Sequence, residues 1–142
     1  MTDGPIVPVR VMIVDDDPLI LTVFTKELDA QPTVSVCATA AGGEQALETL
    51  SSRRHRIDVV LLDISMPGLN GIQTARAIHR KLPDLPIVMF TAFNDEKTLS
   101  EALTEGVKGL LQKTKVLRTS RLHSFALQRT CLPCPHTPLS FL

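Results

Sequence analysis

A doubly wound α/β fold around a five-stranded parallel sheet is what this sequence predicts, on three observations. From residue 9 to 113, short apolar runs alternate with stretches of helical periodicity across short links, the pattern of a parallel sheet covered by helices on both faces. The length of 142 residues suits one domain, and a hydrophobic content of 44% suffices for its core. Two of the apolar runs also end in carboxylates: Asp15-Asp16-Asp17 follows Val9–Val14, and Asp63 follows Val59–Leu62. Adjacent parallel strands bring such carboxylates to the same sheet edge, where they repel unless a cation sits between them.

Val9–Val14 is the first strand. Asp17-Pro18 reads as an N-cap followed by proline at the first helical position. The helix it opens runs to about Ala30, with Ile20, Val23, Phe24 and Leu28 on one face. Val34–Ala38 is the second strand, and Gly43 to about Arg54 a helix that turns Ala46, Leu47 and Leu50 inward. Asp58–Asp63 is apolar enough to be a strand buried on both faces. Met66-Pro67-Gly68 is a turn signal. Gly71–Leu82 is the third helix, with Ile72, Ala75, Ile78 and Leu82 at helical spacing. Pro86–Ala92 is a fourth strand, Asp95–Glu105 a fourth helix carrying Leu99, Ala102 and Leu103, and Gly109–Lys113 a short fifth strand.

After Lys113 the pattern fails. A fifth covering helix is due, and Leu117, Leu122, Phe125 and Ala126 give it only a weak stripe; three prolines within the following Cys131–Leu139 stretch forbid regular helix. The last helix is therefore expected to be irregular or missing, with exposed apolar surface favouring self-association. The formal net charge of zero conceals an asymmetry: all 15 acidic residues lie at or before Glu105, so residues 1–113 carry 11 basic against 15 acidic groups, a net of −4. The tail holds Lys115, Arg118, Arg121 and Arg129 and no acid. An abrupt change of composition after Thr114 fits a shifted reading frame or a junction, or else a divergent native tail.

Aromatics are 4% of the chain, with no Trp or Tyr, so the core is aliphatic. No apolar stretch reaches the ~20 residues of a membrane span, and the N-terminus lacks a signal-peptide pattern; the expectation is a cytoplasmic protein. Cys37 stands alone in a strand expected to be buried. Cys131 and Cys134, with His136 nearby, lack the second ligand pair or the βαβ setting that a metal or redox reading of C-x-x-C requires.

Chemistry in open α/β sheets collects beyond the carboxyl ends of the strands. The residues there are Asp15 and Asp16, Asp63, Thr91 and Lys113. Most have a plainer explanation alone: Asp63 as a strand-end turn residue, Thr91 as a β-branched strand residue, Lys113 as a solvated end; Asp17 reads as a helix cap, but a cap needs one carboxylate and does not explain Asp15 and Asp16. The coincidence of the set at four strand ends has no such plain explanation.

The segments Ile13-Val-Asp-Asp-Asp-Pro, Val60-Leu-Leu-Asp-Ile-Ser-Met-Pro-Gly-Leu-Asn-Gly71, Phe90-Thr-Ala92 and Gly109-Leu-Leu-Gln-Lys113 closely resemble the receiver domain of two-component response regulators. The resemblance covers about residues 8–113, and its details are most similar to receivers of NarL/LuxR-type transcription regulators. It implies a flavodoxin-like sheet of order 2-1-3-4-5, with a receiver domain over 1–113 and an atypical basic tail over 114–142. Asp63 would be the phosphoacceptor, taking the group from a phosphohistidine of a sensor kinase. Asp16, Asp63 and the backbone carbonyl of Ser65 would hold Mg²⁺ or Mn²⁺, with Asp15 acting through a metal-bound water. Lys113, Thr91 and Ala92 would bind the phosphoryl group and pass on the switch. Ser65 and Phe93 would tune dephosphorylation, and neither is a good base, so slow self-dephosphorylation is expected rather than enzymatic turnover.

Three departures from the family pattern stand out. Leu110 occupies the place of an aromatic switch residue. Thr114 replaces the proline that often follows the lysine. No DNA-binding module follows, so direct nucleic-acid binding by this chain is not expected. A phosphorylation-independent pseudo-receiver, acting as an interaction module, is the main alternative; the intact set of Asp15, Asp16, Asp63, Thr91 and Lys113 argues against it. A related Mg²⁺-dependent phosphatase would want a second aspartate where Ser65 stands.

Overall fold

The protein is described by a computed structural model over residues 5–92 and 96–113, without the side chains of Thr98 and Leu99. Nine elements alternate along the described chain: β1 (Val9–Val14), α1 (Pro18–Asp29), β2 (Val34–Ala40), α2 (Gly43–Ser52), β3 (Val59–Asp63), α3 (Gly71–Lys81), β4 (Ile87–Thr91), α4 (Glu96–Thr104) and β5 (Gly109–Gln112). The five strands form one sheet in the order β2-β1-β3-β4-β5, and every pairing is parallel.

The sheet sorts its side chains by strand periodicity. Met12, Val14, Val60, Leu62, Met89 and Leu110 point to the face covered by α2, α3 and α4, through Ala46, Ile72, Ala75, Ile78 and Ala102. Val11, Ile13, Val59, Leu61, Val88 and Phe90 point to the other face, where α1 supplies Phe24 and Leu28. β3 and β4 are buried at every residue, as their unbroken apolar runs require of interior strands. Phe24 and Phe90 meet edge to face, ring centres 4.9 Å apart.

Local chemistry sets the helix ends. Asp17 caps α1, its carboxylate accepting from the Leu19 N–H at 2.9 Å. Asn70 and Gln73 form a reciprocal capping box at the start of α3, a signal that the sequence reading passed over in favour of the adjacent turn. α2 stops at Ser52, short of the expected Arg54, because Arg53 adopts a left-handed conformation with φ of +53°, the position at which helices usually place glycine.

Some expectations shift. β2 extends to Ala40 rather than Ala38, and the pairing skips from Val11↔Val36 to Met12↔Ala38, leaving Cys37 bulged out of register. Cys37 is half-buried on an edge strand, not enclosed as expected. Leu82 and Leu103, placed in the helical stripes by spacing, are 36% and 49% exposed. Leu82 sits past the last turn of α3. The expected irregular last helix and the self-association of the tail concern residues 114–142, which lie outside the described residues.

Candidate functional site

The carboxyl ends of β1, β3, β4 and β5 converge on one cluster. β1 and β3 are neighbours with Val14 opposite Leu62, so the residues next along the two strands, Asp15 and Asp63, arrive side by side. Asp15 is completely buried and Asp63 is 4% exposed, whereas Asp16 is exposed. One carboxylate oxygen from each of the three lies within 4.8 Å of the others. Lys113, one residue beyond β5, reaches back over the sheet edge: its Nζ is 2.6 Å from Asp15 Oδ2 and 3.2 Å from Asp63 Oδ1. The same ammonium lies over the face of Phe90, 4.9 Å from the ring centre, where a cation is attracted by the ring's quadrupole.

The two buried aspartates are held differently. Asp15 uses Oδ1 to accept the Asp17 N–H at 2.9 Å. Its Oδ2 has no well-aligned hydrogen bond, and the short ion pair to Lys113 answers it by charge. Among the described residues nothing bonds to the Asp16 carboxylate. Burial pushes the Asp63 carboxyl up, the Lys113 charge pulls it down, and Asp15 and Asp16 push it up again, leaving it at about 6 against an ordinary 3.8. Burial pulls Lys113 down, but the contact to Asp15 and the charge of Asp63 outweigh it and hold the ammonium above the usual lysine range. Lys113 is thus a fixed cation, and Asp63 is ionised at neutral pH at a cost.

That cost tests the fit of a metal. Three carboxylates against one ammonium leave two negative charges uncompensated, the complement of a divalent ion. The donors are all oxygen, the set preferred by Mg²⁺. The residues present therefore fit such an ion.

The other expected residues lie around this cluster. Thr91 ends β4, is 2% exposed and pairs in register with Gln112; Ala92 follows it and is exposed. Ser65 is exposed in the loop between β3 and α3. Leu110 is buried in the edge strand β5 opposite Met89, its side chain part of the core beneath α2, α3 and α4. Phe93 lies outside the described residues.

Two contributors escaped the sequence reading. Phe90 is the seat under Lys113; the only signal for it was its place next to Thr91. Gly71 allows α3 to approach β3: its N–H donates to the Ile64 carbonyl at 2.8 Å, and a Cβ there would strike the Asp63 carbonyl oxygen. In the sequence it is only the first residue of the third helix, with no sign of that close approach.

Comparison with known proteins gives a consistent result. The family model of the response regulator receiver domain matches residues 11–124. The nitrate/nitrite response regulator protein NarL of Escherichia coli is 33% identical over 106 residues, covering 75% of this chain and 48% of NarL. The protein-glutamate methylesterase/protein-glutamine glutaminase 1 of Rhodospirillum rubrum is 37% identical over 114 residues, covering 78% of this chain and 29% of that protein. Among solved structures, the signal receiver domain of a NarL response regulator from Mycobacterium tuberculosis superposes with a TM-score of 0.75 at 29% identity, covering 89% of this chain and 98% of that domain. This chain spans about half, or less, of the length of these curated relatives.

Proposed function

Because this chain belongs to the response regulator receiver domain family, we propose that it accepts a phosphoryl group on Asp63 from a phosphohistidine of a sensor kinase. The observation that carries the proposal is the Lys113 ammonium set between two buried carboxylates, 2.6 Å from Asp15 and 3.2 Å from Asp63. A core stabilised by apolar packing has no use for that arrangement, since buried ion pairs commonly cost as much as they return.

In the transfer an Asp63 carboxylate oxygen attacks phosphorus, the P–N bond to the donor histidine breaks, and the product on this chain is an acyl phosphate. Asp16, Asp63 and the Ser65 carbonyl would hold Mg²⁺, which would supply charge neutralisation for the anionic group. Asp15 is the weaker direct ligand, because Asp17 and Lys113 already occupy its two oxygens. Lys113 exchanges its contact with Asp63 for one with a phosphoryl oxygen. The Thr91 hydroxyl and the Ala92 backbone serve the remaining oxygens, and the adjustment at the end of β4 passes to α4 and β5. Leu110 makes that switch independent of an aromatic rotamer. Ser65 and Phe93 offer no base to the attacking water, so the acyl phosphate is long-lived and the chain acts as an acceptor rather than a turnover enzyme. Transcriptional control belongs to the larger regulator of NarL type in which such a receiver works, on the cytoplasmic side of its kinase. Among the described residues no helix is long and apolar enough to cross a membrane.

Intact mass after incubation with acetyl phosphate and Mg²⁺ tests this. One phosphoryl adduct is expected in the parent chain and none in Asp63→Asn or without Mg²⁺. An adduct of equal yield in Asp63→Asn, or none in folded parent protein, refutes the proposal and returns the pseudo-receiver reading.

A further inference from the structure

The end of the sheet opposite the carboxylate cluster carries the reverse charge. Arg53, Arg54 and Arg56 follow α2, and Arg80 and Lys81 close α3; neither segment, 53–56 nor 79–81, contains an acid. His55 and His79 lie in the same two segments, and all seven side chains are exposed. Among the described residues none of the five cations makes an ion pair, although residues 1–113 as a whole carry a net charge of −4. Lys81 and Arg80 complement the C-terminal dipole of α3. The three arginines lie past the end of α2, and Arg53 holds a backbone conformation that favours glycine. Helix stability accounts for the first pair and not for the second group.

Between these cations the surface is hollow, with aliphatic side chains set among polar ones. A cleft of about 600 Å³ is lined by Leu50, Ile57, Leu82 and Leu85 together with Arg53, Arg56 and Lys81. A second hollow of about 310 Å³ runs between α2 and α3 and shares Leu50, Arg53, Lys81 and Leu82 with the first. Two acids border the larger cleft, Asp58 and Asp84, and Asp58 already accepts the Arg10 N–H at 2.9 Å.

We propose that this groove between the C-terminal ends of α2 and α3 docks an acidic, amphipathic peptide segment of a partner protein, whose apolar side chains enter the cleft while its carboxylates meet Arg53, Arg56 and Lys81. Five cations in and around the cleft outnumber its two acids and favour an anionic occupant. The aliphatic side chains of Leu50, Ile57, Leu82 and Leu85 favour a peptide over a nucleic-acid backbone, which has no apolar group to set against them. The chain's own residues 114–142 have the wrong sign, with four basic residues and no acid. Docking here leaves the opposite end of the sheet open, so the partner and the phosphoryl donor do not compete.

Fluorescence anisotropy of the full chain with three labelled probes tests this. The first is a short helical peptide with Leu along one face and Glu along the other, the second the same composition in scrambled order, and the third a DNA duplex. The ordered peptide is expected to bind about tenfold tighter than the scrambled one, since only the former can bury its leucines together. Binding weakens as salt rises. The double variant Arg53→Gly/Lys81→Gln is expected to lose about tenfold in affinity. Glycine suits the conformation at 53, so unchanged or raised thermal stability excludes misfolding as the cause. Equal binding of ordered and scrambled peptides, tighter binding of DNA, undiminished binding by the double variant, or no binding of any probe each overturns the proposal.

Discussion

Gly71→Ala is expected to damage the proposed phosphorylation site from a position outside its carboxylates and Lys113. A Cβ at residue 71 would strike the Asp63 carbonyl oxygen, and would stand 2.6 Å from Ile64 Cα and 2.9 Å from the Asp63 carbonyl carbon. Carbon atoms in good contact stay about 3.5 Å apart or more, so the start of α3 must retreat from the end of β3 by roughly 1 Å. That retreat opposes the 2.8 Å hydrogen bond from Gly71 N–H to Ile64 O. Overpacking of this kind costs about 1–3 kcal/mol, and the gain in helix propensity on replacing glycine returns at most about 1 kcal/mol. A net loss of about 1–2 kcal/mol is expected in urea unfolding of metal-free protein. Because the displaced group is the backbone of Asp63 itself, the rate of phosphorylation by acetyl phosphate should fall by about tenfold or more. Gly42→Ala is the control: its Cβ would meet only Glu44 Oε2, at 3.8 Å, and should leave both readings near the parent values. Parental stability and rate in Gly71→Ala, or equal damage in Gly42→Ala, would refute the steric argument.

Other outcomes follow from the charge balance. In metal-free protein the buried Asp63 takes up a proton at about 6 in the folded state, against an ordinary 3.8. Between those values the folded chain binds more protons than the unfolded one, so Asp63 contributes stability as pH falls and costs it as pH rises through 6. Asp63→Asn should therefore be the more stable protein at pH 8, by up to about 3 kcal/mol, with the advantage fading towards pH 4; a constant difference across that range would contradict the assignment. Mg²⁺ titration should show a larger loss of affinity in Asp16→Asn than in Asp15→Asn, and equal losses would show the ligand roles to be misassigned. Phe93→Ala and Ser65→Asn should each shorten the lifetime of the phosphorylated chain, as followed by the decay of the adduct mass; unchanged decay in both would remove these residues from the path of the attacking water.

The parallel sheet and the gathering of Asp15, Asp16, Asp63 and Lys113 at one end of it were legible because they rest on sequence periodicity and on where apolar runs stop, whereas the strand order came only from the resemblance to the receiver family. A parallel sheet converts the end of a run into a place in space, so carboxylates at two such ends had to meet. What remained hidden depends on contacts between elements distant in sequence. The bulge at Cys37 follows from how β2 accommodates β1, and no local pattern marks it. Arg53 ends α2 two residues early in a conformation for which arginine is not a signal. Phe90 shows the same limit: its apolar character placed it in β4, but nothing in the sequence revealed that a cation would rest on its ring.

That placement of Phe90 has a spectroscopic consequence. The chain contains no tryptophan or tyrosine, so tryptophan or tyrosine fluorescence cannot follow the switch. The ring of Phe90 touches both the Phe24 ring and the Lys113 ammonium, and its ring current shifts the magnetic resonance signals of whatever lies over its face. Any movement of Lys113 from Asp63 to a phosphoryl oxygen changes that shielding on the face of the sheet covered by α1, where Phe24 is the edge-to-face partner of Phe90. A fluorine label on phenylalanine would thus report the chemistry at one end of the sheet from within the aliphatic core.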